Sequence, residues 1–145
     1  SNKVKYMAHF VDLIHGVDKL KTLKVINKEA KKHDRIINCL LQAKIAKEDT
    51  KFGLSFDDIK NILASETLSE LKNIKIVGLM GMATFTDNQN QLKEEFLSLK
   101  NFFETLSLNF PLRVEIVPLF FRMDCEGIVY PKLFKRDTGL RRTKK

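Results

Sequence analysis

The chain has 145 residues, of which 43% are hydrophobic and 30% charged, a composition typical of a globular protein with one core. Its net charge is +8, and the positions from Arg113 onward hold nine basic and four acidic residues, so a nucleic-acid-binding function would depend on this tail. No apolar run approaches the about 18 residues of a membrane span. Two cysteines, Cys39 and Cys125, are too few for a disulfide framework or a zinc site. We therefore expect a soluble, cytoplasmic protein.

Strands and helices alternate along the first 110 residues. Residues 1–10 have helical apolar spacing without a start signal, so we expect the end of a helix within a longer protein. The branched run 11–17 predicts a strand. Asp18 is expected to cap the next helix, whose apolar face contains Leu20, Leu23, Ile26 and Ala30.

The second unit begins with a strand predicted over 35–45, which is apolar on one face. Ser55 and Asp58 have the spacing of a capping box, and Thr67 with Glu70 predicts a restart of the helix. The apolar positions of that helix are Ile59, Ile62 and Leu63.

The third unit begins with a strand predicted over 74–82. Thr86 and Gln89 open a long helix, and a fourth strand over 114–117 is interrupted by Pro118. The apolar positions of the long helix are Leu92, Phe96, Leu99, Phe102, Phe103 and Leu106.

Three alternations with short connections predict an α/β fold whose parallel strands form right-handed βαβ units. Alternation does not decide whether the sheet is open or curved into a barrel. The length of the chain argues against a complete barrel of eight units, which usually needs at least about 200 residues.

Ligands of such proteins bind at the carboxyl ends of the parallel strands. The polar face of the second strand ends there, opposite a uniformly apolar face, and buried polar groups need partners or a polar ligand. The candidate residues at the ends of the three strands are His15, Gln42, Lys44, Met80 and Met82.

Each candidate also has a structural interpretation. His15 can be a hydrogen-bonded structural residue, and Met80 and Met82 can be adaptable core fillers. Lys44 can be a desolvated amine that meets an aldehyde or a phosphate, or it can pair with the carboxylates that follow at positions 48 and 49.

Several of these segments resemble a known family. The string Leu41-Gln-Ala-Lys-Ile-Ala46, followed by Glu48-Asp-Thr-Lys-Phe-Gly53 and then by Gly78-Leu-Met-Gly-Met82, is similar to the pyridoxal-phosphate homeostasis protein family (the YggS type, related to the barrel domain of alanine racemase). Weaker matches are Asn2-Lys-Val-Lys5 and Ile14-His-Gly-Val-Asp18. The resemblance covers about residues 2–107.

The resemblance implies a partial (β/α) TIM-type barrel of about three to four βα units. Residues 1–112 would form the central part of a barrel domain that binds pyridoxal 5′-phosphate (PLP), and residues 113–145 a basic, divergent tail. The family acts in vitamin B6 and amino-acid homeostasis with little or no catalytic activity. Around the bound cofactor would lie His15, Gln42, Lys44, Met80 and Met82.

The chain also departs from the family. The family's Schiff-base lysine lies upstream of residue 1, its phosphate-binding segments are not found after Leu112, and Lys44 stands where asparagine is usual. These departures suggest a fragment with a tail read out of frame, which would bind PLP weakly or not at all.

Two other functions remain open. A PLP-dependent racemase or decarboxylase of related architecture needs a second acid–base group, for which only His15 is a candidate. A nucleic-acid-binding module would use the basic tail, although no specific nucleic-acid motif is present. A partial barrel also exposes sheet edges, which predicts marginal stability, self-association or reliance on a missing segment.

Overall fold

The computed structural model describes residues 3–47, 52–109, 117–120, 122–124 and 127–129. The helices are α1 (Val4–Met7), α2 (Leu20–Lys31), α3 (Phe56–Ala64), α4 (Glu66–Glu70) and α5 (Gln89–Asn109). The strands are β1 (Leu13–Val17), β2 (Ile37–Ala43), β3 (Ile74–Gly81), β4 (Val117–Phe120), β5 (Arg122–Asp124) and β6 (Gly127–Val129). No helix in these stretches is long and apolar enough to cross a bilayer.

Four strands form one parallel sheet in the order β1-β2-β3-β4. The strands β5 and β6 form a separate antiparallel pair. Because α2 connects β1 to β2, while α3 and α4 connect β2 to β3, each crossover is helical, as parallel pairing requires. The predicted α/β class is confirmed.

Helices pack against one face of the sheet, where the side chains of alternate β2 residues enter the core. Ile37, Cys39 and Leu41 are fully buried there, as the apolar parity of this strand predicts. The rings of Phe56 and Phe102 stack with centroids 4.1 Å apart and so join α3 to α5. The same core contains the α2 residues Leu23, Ile26 and Ala30 and the α5 residues Leu99 and Leu106.

The starts of α3 and α2 differ in how well the local sequence predicts the N-cap residue. The predicted capping box is confirmed, since the Ser55 hydroxyl accepts from the Asp58 amide and the Asp58 carboxylate accepts from the Ser55 amide. The predicted Asp18 cap is wrong. The N-cap of α2 is Lys19, which makes no side-chain cap bond, so Asp18 lies one residue too early to cap the helix.

Two further caps lie near their predicted positions but on different residues. Helix α4 is capped by Ser65, whose hydroxyl accepts from the Leu68 amide, and not by Thr67. Helix α5 begins after Asn88, whose side-chain oxygen accepts from the amides of residues 90 and 91. The Thr86 hydroxyl instead accepts from the Asn88 amide, so the predicted Thr86 start is wrong by two residues.

The fourth strand continues through Pro118, although an interruption is predicted there. Residues 114–116 lie outside the described stretches, and β4 pairs with β3 from Val117 to Phe120, with Pro118 opposite Leu79. Strand β4 is the last in the described sheet order, and a strand in that place tolerates a residue without an amide proton.

The capping box gives a direct stability prediction. Ser55→Ala removes the acceptor for the Asp58 amide and should lower the free energy of unfolding by about 1 kcal/mol, as measured by urea denaturation. Ser69→Ala is the matched control because the Ser69 hydroxyl only donates to the Glu66 carbonyl within its own helix. An equal loss of unfolding free energy in Ser55→Ala and Ser69→Ala would contradict a capping role for Ser55.

Candidate functional site

The carboxyl end of β1 contains a bulge. Ile14 is opposite Cys39 and Val17 is opposite Leu41, so the two residues between them on β1 face a single residue of β2. Gly16 is one of the two, with φ of +67°, a left-handed conformation that glycine adopts without steric cost. A bulge here changes the direction of the β1 end.

Three strand ends meet at this bulge. Gln42 and Met80 are register partners on β2 and β3, and their side chains are only 8% and 4% exposed. A Cβ atom added to Gly16 would lie 3.1 Å from Gln42 Oε1 and 3.4 Å from Met80 Cε. The absence of a side chain at Gly16 therefore lets the Gln42 and Met80 side chains pack close against the β1 backbone.

The chain leaves β2 as a loop whose base is closed by hydrogen bonds. The Leu54 amide donates to the Gln42 carbonyl over 2.7 Å, and the Lys44 amide donates to the Leu54 carbonyl over 2.9 Å. Gln42 Nε2 donates to the Phe52 carbonyl over 2.9 Å. Gly53 has φ of +152°, and a Cβ there would lie 2.6 Å from the Lys44 amide nitrogen. The side chain of Gln42 and the close approach of Gly53 to Lys44 thus hold the base of this loop closed.

Beyond Lys44, the chain crosses the end of β3 toward α5. A Cβ atom at Gly81 would lie 2.8 Å from Ile45 Cδ1 and 2.9 Å from Leu99 Cδ2. Ile45 and Ala46 are both buried. The small residue Gly81 therefore lets the segment after β2 pack against the end of β3.

Glu95 of α5 joins the segments that follow β2 and β3. Its Oε1 accepts from the Lys47 amide over 3.2 Å, from the Thr84 hydroxyl over 2.6 Å and from Gln91 Nε2 over 3.1 Å. Its Oε2 accepts from the Thr84 amide over 2.7 Å. The side chain is 3% exposed, so this carboxylate forms a buried connection between the two segments.

The electrostatics of Glu95 depend on these donors. Burial alone would raise the pKa of Glu95, but the hydrogen bonds from the Thr84 side chain and backbone, from Gln91 and from the Lys47 amide outweigh it, and the pKa lies below its usual value. Glu95 is therefore ionised at neutral pH.

We call this region the strand-end mouth and define it as Gly16, Gln42 and Met80 with the segments 44–47 and 82–84. Among the five predicted residues, Gln42 and Met80 come together in it. Lys44 is exposed at its edge and Met82 is 42% exposed. His15 is exposed in the β1 bulge. The proposed partners of Lys44 at positions 48 and 49 lie outside the described residues.

The sequence reasoning missed Glu95 and Thr84. One signal could have found Glu95, since it lies four residues before Leu99 and seven before Phe102, on the helical stripe that enters the core. A carboxylate on such a stripe needs buried donors. Thr84 has no comparable local signal.

Residues 1–117 match the family model described as "Alanine racemase, N-terminal domain". A protein of Aquifex aeolicus (strain VF5) named "Pyridoxal phosphate homeostasis protein" is 31% identical over 100 residues, which are 69% of this chain and 43% of that protein. The chain spans about half the length of the curated relatives it matches.

Solved structures share the fold. PipY of Synechococcus elongatus PCC7942, solved without PLP, superposes with a TM-score of 0.71 at 25% identity and covers 81% of this chain and 53% of PipY. The PLP-bound structure of PipY superposes with a TM-score of 0.67 at 22% identity and covers 80% of this chain and 52% of that one. The predicted partial (β/α) barrel architecture is confirmed.

The loop closed by Gly53 gives a second prediction. Gly53→Ala places a methyl group against the Lys44 backbone and should cost about 1–3 kcal/mol of stability through backbone strain, with faster proteolysis after the loop lysines. Phe52→Ala is the control because its exposed ring is removed while its carbonyl still accepts from Gln42. Proteolysis equally slow in both variants would contradict the close approach at Gly53.

Glu95 also predicts the acid stability of the protein. The pKa of Glu95 is lowered from 4.5 in the folded state. Its contribution to the free energy of unfolding is therefore complete above pH 4.5 and is lost as the pH falls from there through the folded-state pKa. Urea denaturation at pH 7 and at lower pH should show this loss in the wild type.

In Glu95→Gln this part of the pH dependence should disappear, because the amide does not titrate. The neighbouring variant Glu94→Gln removes a mostly exposed carboxylate, bonded to Lys47 Nζ over 3.3 Å, and should retain the Glu95 contribution. If the free energy of unfolding of Glu95→Gln fell with decreasing pH as steeply as that of the wild type, the contribution assigned to Glu95 would be contradicted.

Proposed function

The chain belongs to the family of the alanine racemase N-terminal domain, and we propose that it is the central part of a PLP-binding protein that acts in intracellular PLP and amino-acid homeostasis. The names of its relatives and its resemblance to that family support this function. Little or no catalysis is expected, because a single strand-end imidazole, His15, does not provide a pair of acid–base groups.

The observation that carries the proposal is the meeting of the ends of β1, β2 and β3 at Gly16. A flat heteroaromatic ring needs an apolar surface and a few polar contacts, and the described residues provide both kinds of group. Met80 provides a buried thioether and Gln42 a buried side-chain amide, and both pack close to Gly16. Gly16 permits this close approach because it has no side chain.

The remaining candidates lie in the strand-end mouth or in the adjoining β1 bulge. Lys44 carries a positive charge suited to a phosphate group or to reaction with an aldehyde, and Met82 adds an adaptable apolar surface. PLP, when bound, supplies the aldehyde and an electron-withdrawing ring. We propose His15, Gln42, Lys44, Met80 and Met82 as the residues around it.

The domain division, location and association of the chain complete the proposal. We propose residues 1–112 as the central part of the barrel domain and 113–145 as the basic tail, although β4 in that second part pairs with β3 and extends the barrel sheet. We propose a cytoplasmic location because the chain has only two cysteines, of which Cys39 is a free buried thiol. Strand β1 lies at the end of the described sheet order, and pairing through this edge would allow self-association. Concentration-dependent sedimentation tests that last point.

PLP titration tests the function. The purified chain should show weak, saturable binding, on the order of a millimolar Kd, followed by absorbance and by borohydride reduction with mass-spectrometric mapping of pyridoxyl-lysine. Lys44→Ala should abolish most of the labelling, whereas Lys72→Ala, a matched exposed lysine, should not.

Each contrary outcome has a separate meaning. Unselective labelling of all lysines in the wild type would overturn PLP binding at the strand-end mouth. Selective binding that Lys44→Ala leaves intact would retain the function and remove Lys44 from the proposed site.

A further inference from the structure

Glu95 lies at the junction of the two segments that border the strand-end mouth. Lys47 lies four residues beyond Ala43, the last residue of β2, and Thr84 lies three beyond Gly81, the last residue of β3. Both are held by the same carboxylate. We propose that Glu95 is a positioning residue that sets the separation of the two segments and thereby places Lys44 and Met82 around the cofactor; this inference rests on the proposed PLP function.

The chemistry of the contacts requires a carboxylate. All four groups that reach Glu95 are donors: the Lys47 amide, the Thr84 amide and hydroxyl, and the Gln91 side-chain amide. A glutamine at position 95 has the same shape, but its NH₂ group would face a donor in either orientation. A buried donor left without an acceptor is costly, so the glutamine would weaken the contact with one segment. The Lys47 amide also donates to Thr84 Oγ1 over 3.1 Å, so the Thr84 amide, which donates to Glu95 Oε2, is the donor that depends most on the carboxylate.

Lys44 and Met82 lie only a few residues from Lys47 and Thr84, which are the residues that Glu95 holds. Lys44 lies between the end of β2 and Lys47, and Met82 lies between the end of β3 and Thr84. Lys44 lies three positions before Lys47 and Met82 two positions before Thr84, and a residue spans at most about 3.6 Å. A segment held at both ends over so few residues has little freedom, so loss of the Glu95 contacts removes one of the restraints on each segment, while the Lys44 amide remains bonded to the Leu54 carbonyl.

The adjacent carboxylate does not provide this function. Glu94 bonds to the Lys47 ammonium over 3.3 Å, but both side chains are about two-thirds exposed, and such surface ion pairs contribute little. Glu94 therefore serves as a control with the same residue type, the same helix and the same partner residue.

The test compares Glu95→Gln with Glu94→Gln in two measurements. Hydrogen exchange of the Thr84 amide should accelerate about tenfold or more in Glu95→Gln, as expected when a charge-assisted bond is lost, and that of the Lys47 amide should accelerate less because it also donates to Thr84 Oγ1. Exchange of both amides should change less than about twofold in Glu94→Gln. The Leu41 amide in the core strand β2 reports global opening and should change less than those two amides.

The second measurement is the site of borohydride-trapped pyridoxyl label after incubation with PLP. Glu95→Gln should spread the label from Lys44 to other lysines, whereas Glu94→Gln should retain the wild-type pattern. Thr84→Val should act like Glu95→Gln, and Thr84→Ser, which keeps the hydroxyl, should restore the pattern.

The outcomes separate the two proposals. Accelerated exchange with an unchanged label pattern would overturn positioning and leave PLP binding in place. Unselective label in the wild type would overturn the PLP function, and exchange at Lys47 and Thr84 would then decide whether Glu95 holds the two segments. Unchanged exchange in Glu95→Gln would overturn the inference.

Discussion

The pairing of β2 with β3 is the constraint on which the strand-end mouth depends. Cys39 pairs with Ile76, but Leu40 pairs with Gly78, so one residue of β3 is left over between them. This irregularity restores the register in which Gln42 lies beside Met80 and Ala43 beside Gly81. A slip of one residue would turn each side chain to the opposite face of its strand, which would place Met80 in the helix-covered core.

The same pairing explains why small residues occur at the strand ends. Gly16 leaves space for Gln42 and Met80, Gly53 lets the backbone approach Lys44, and Gly81 leaves space for Ile45. Each position has a close neighbour from another segment, so each glycine results from tertiary contact and not from a turn alone. The motif that resembles the PLP homeostasis family is thus also a set of packing requirements.

Much of the fold follows from local patterns. The apolar parity of β2 and the helical stripe of α2 predict which side chains are buried, because a strand has a period of two and a helix a period of 3.6. The Ser55 box is also local, since its partner lies one turn away. The local pattern predicts the starts of α4 and α5 at Thr67 and Thr86 and misses the caps at Ser65 and Asn88, because several polar residues near each start can serve as the cap.

The sequence predicts only part of the candidate site. The rule that ligands bind at the carboxyl ends of parallel strands selected Gln42 and Met80, which the structure brings together. It did not select Glu95, because a carboxylate on an apolar stripe is unfavourable until donors from Lys47 and Thr84 are present, and those donors come from segments 48 and 11 residues away.

By itself, the sequence determined the order of strands and helices, the faces that are buried and the family resemblance, since these depend on spacings within a few residues. The tertiary structure alone decided the bulge at Gly16, the register of Gln42 with Met80 and the partners of Glu95. These features depend on how segments distant in the chain fit together, and no local period describes that fit.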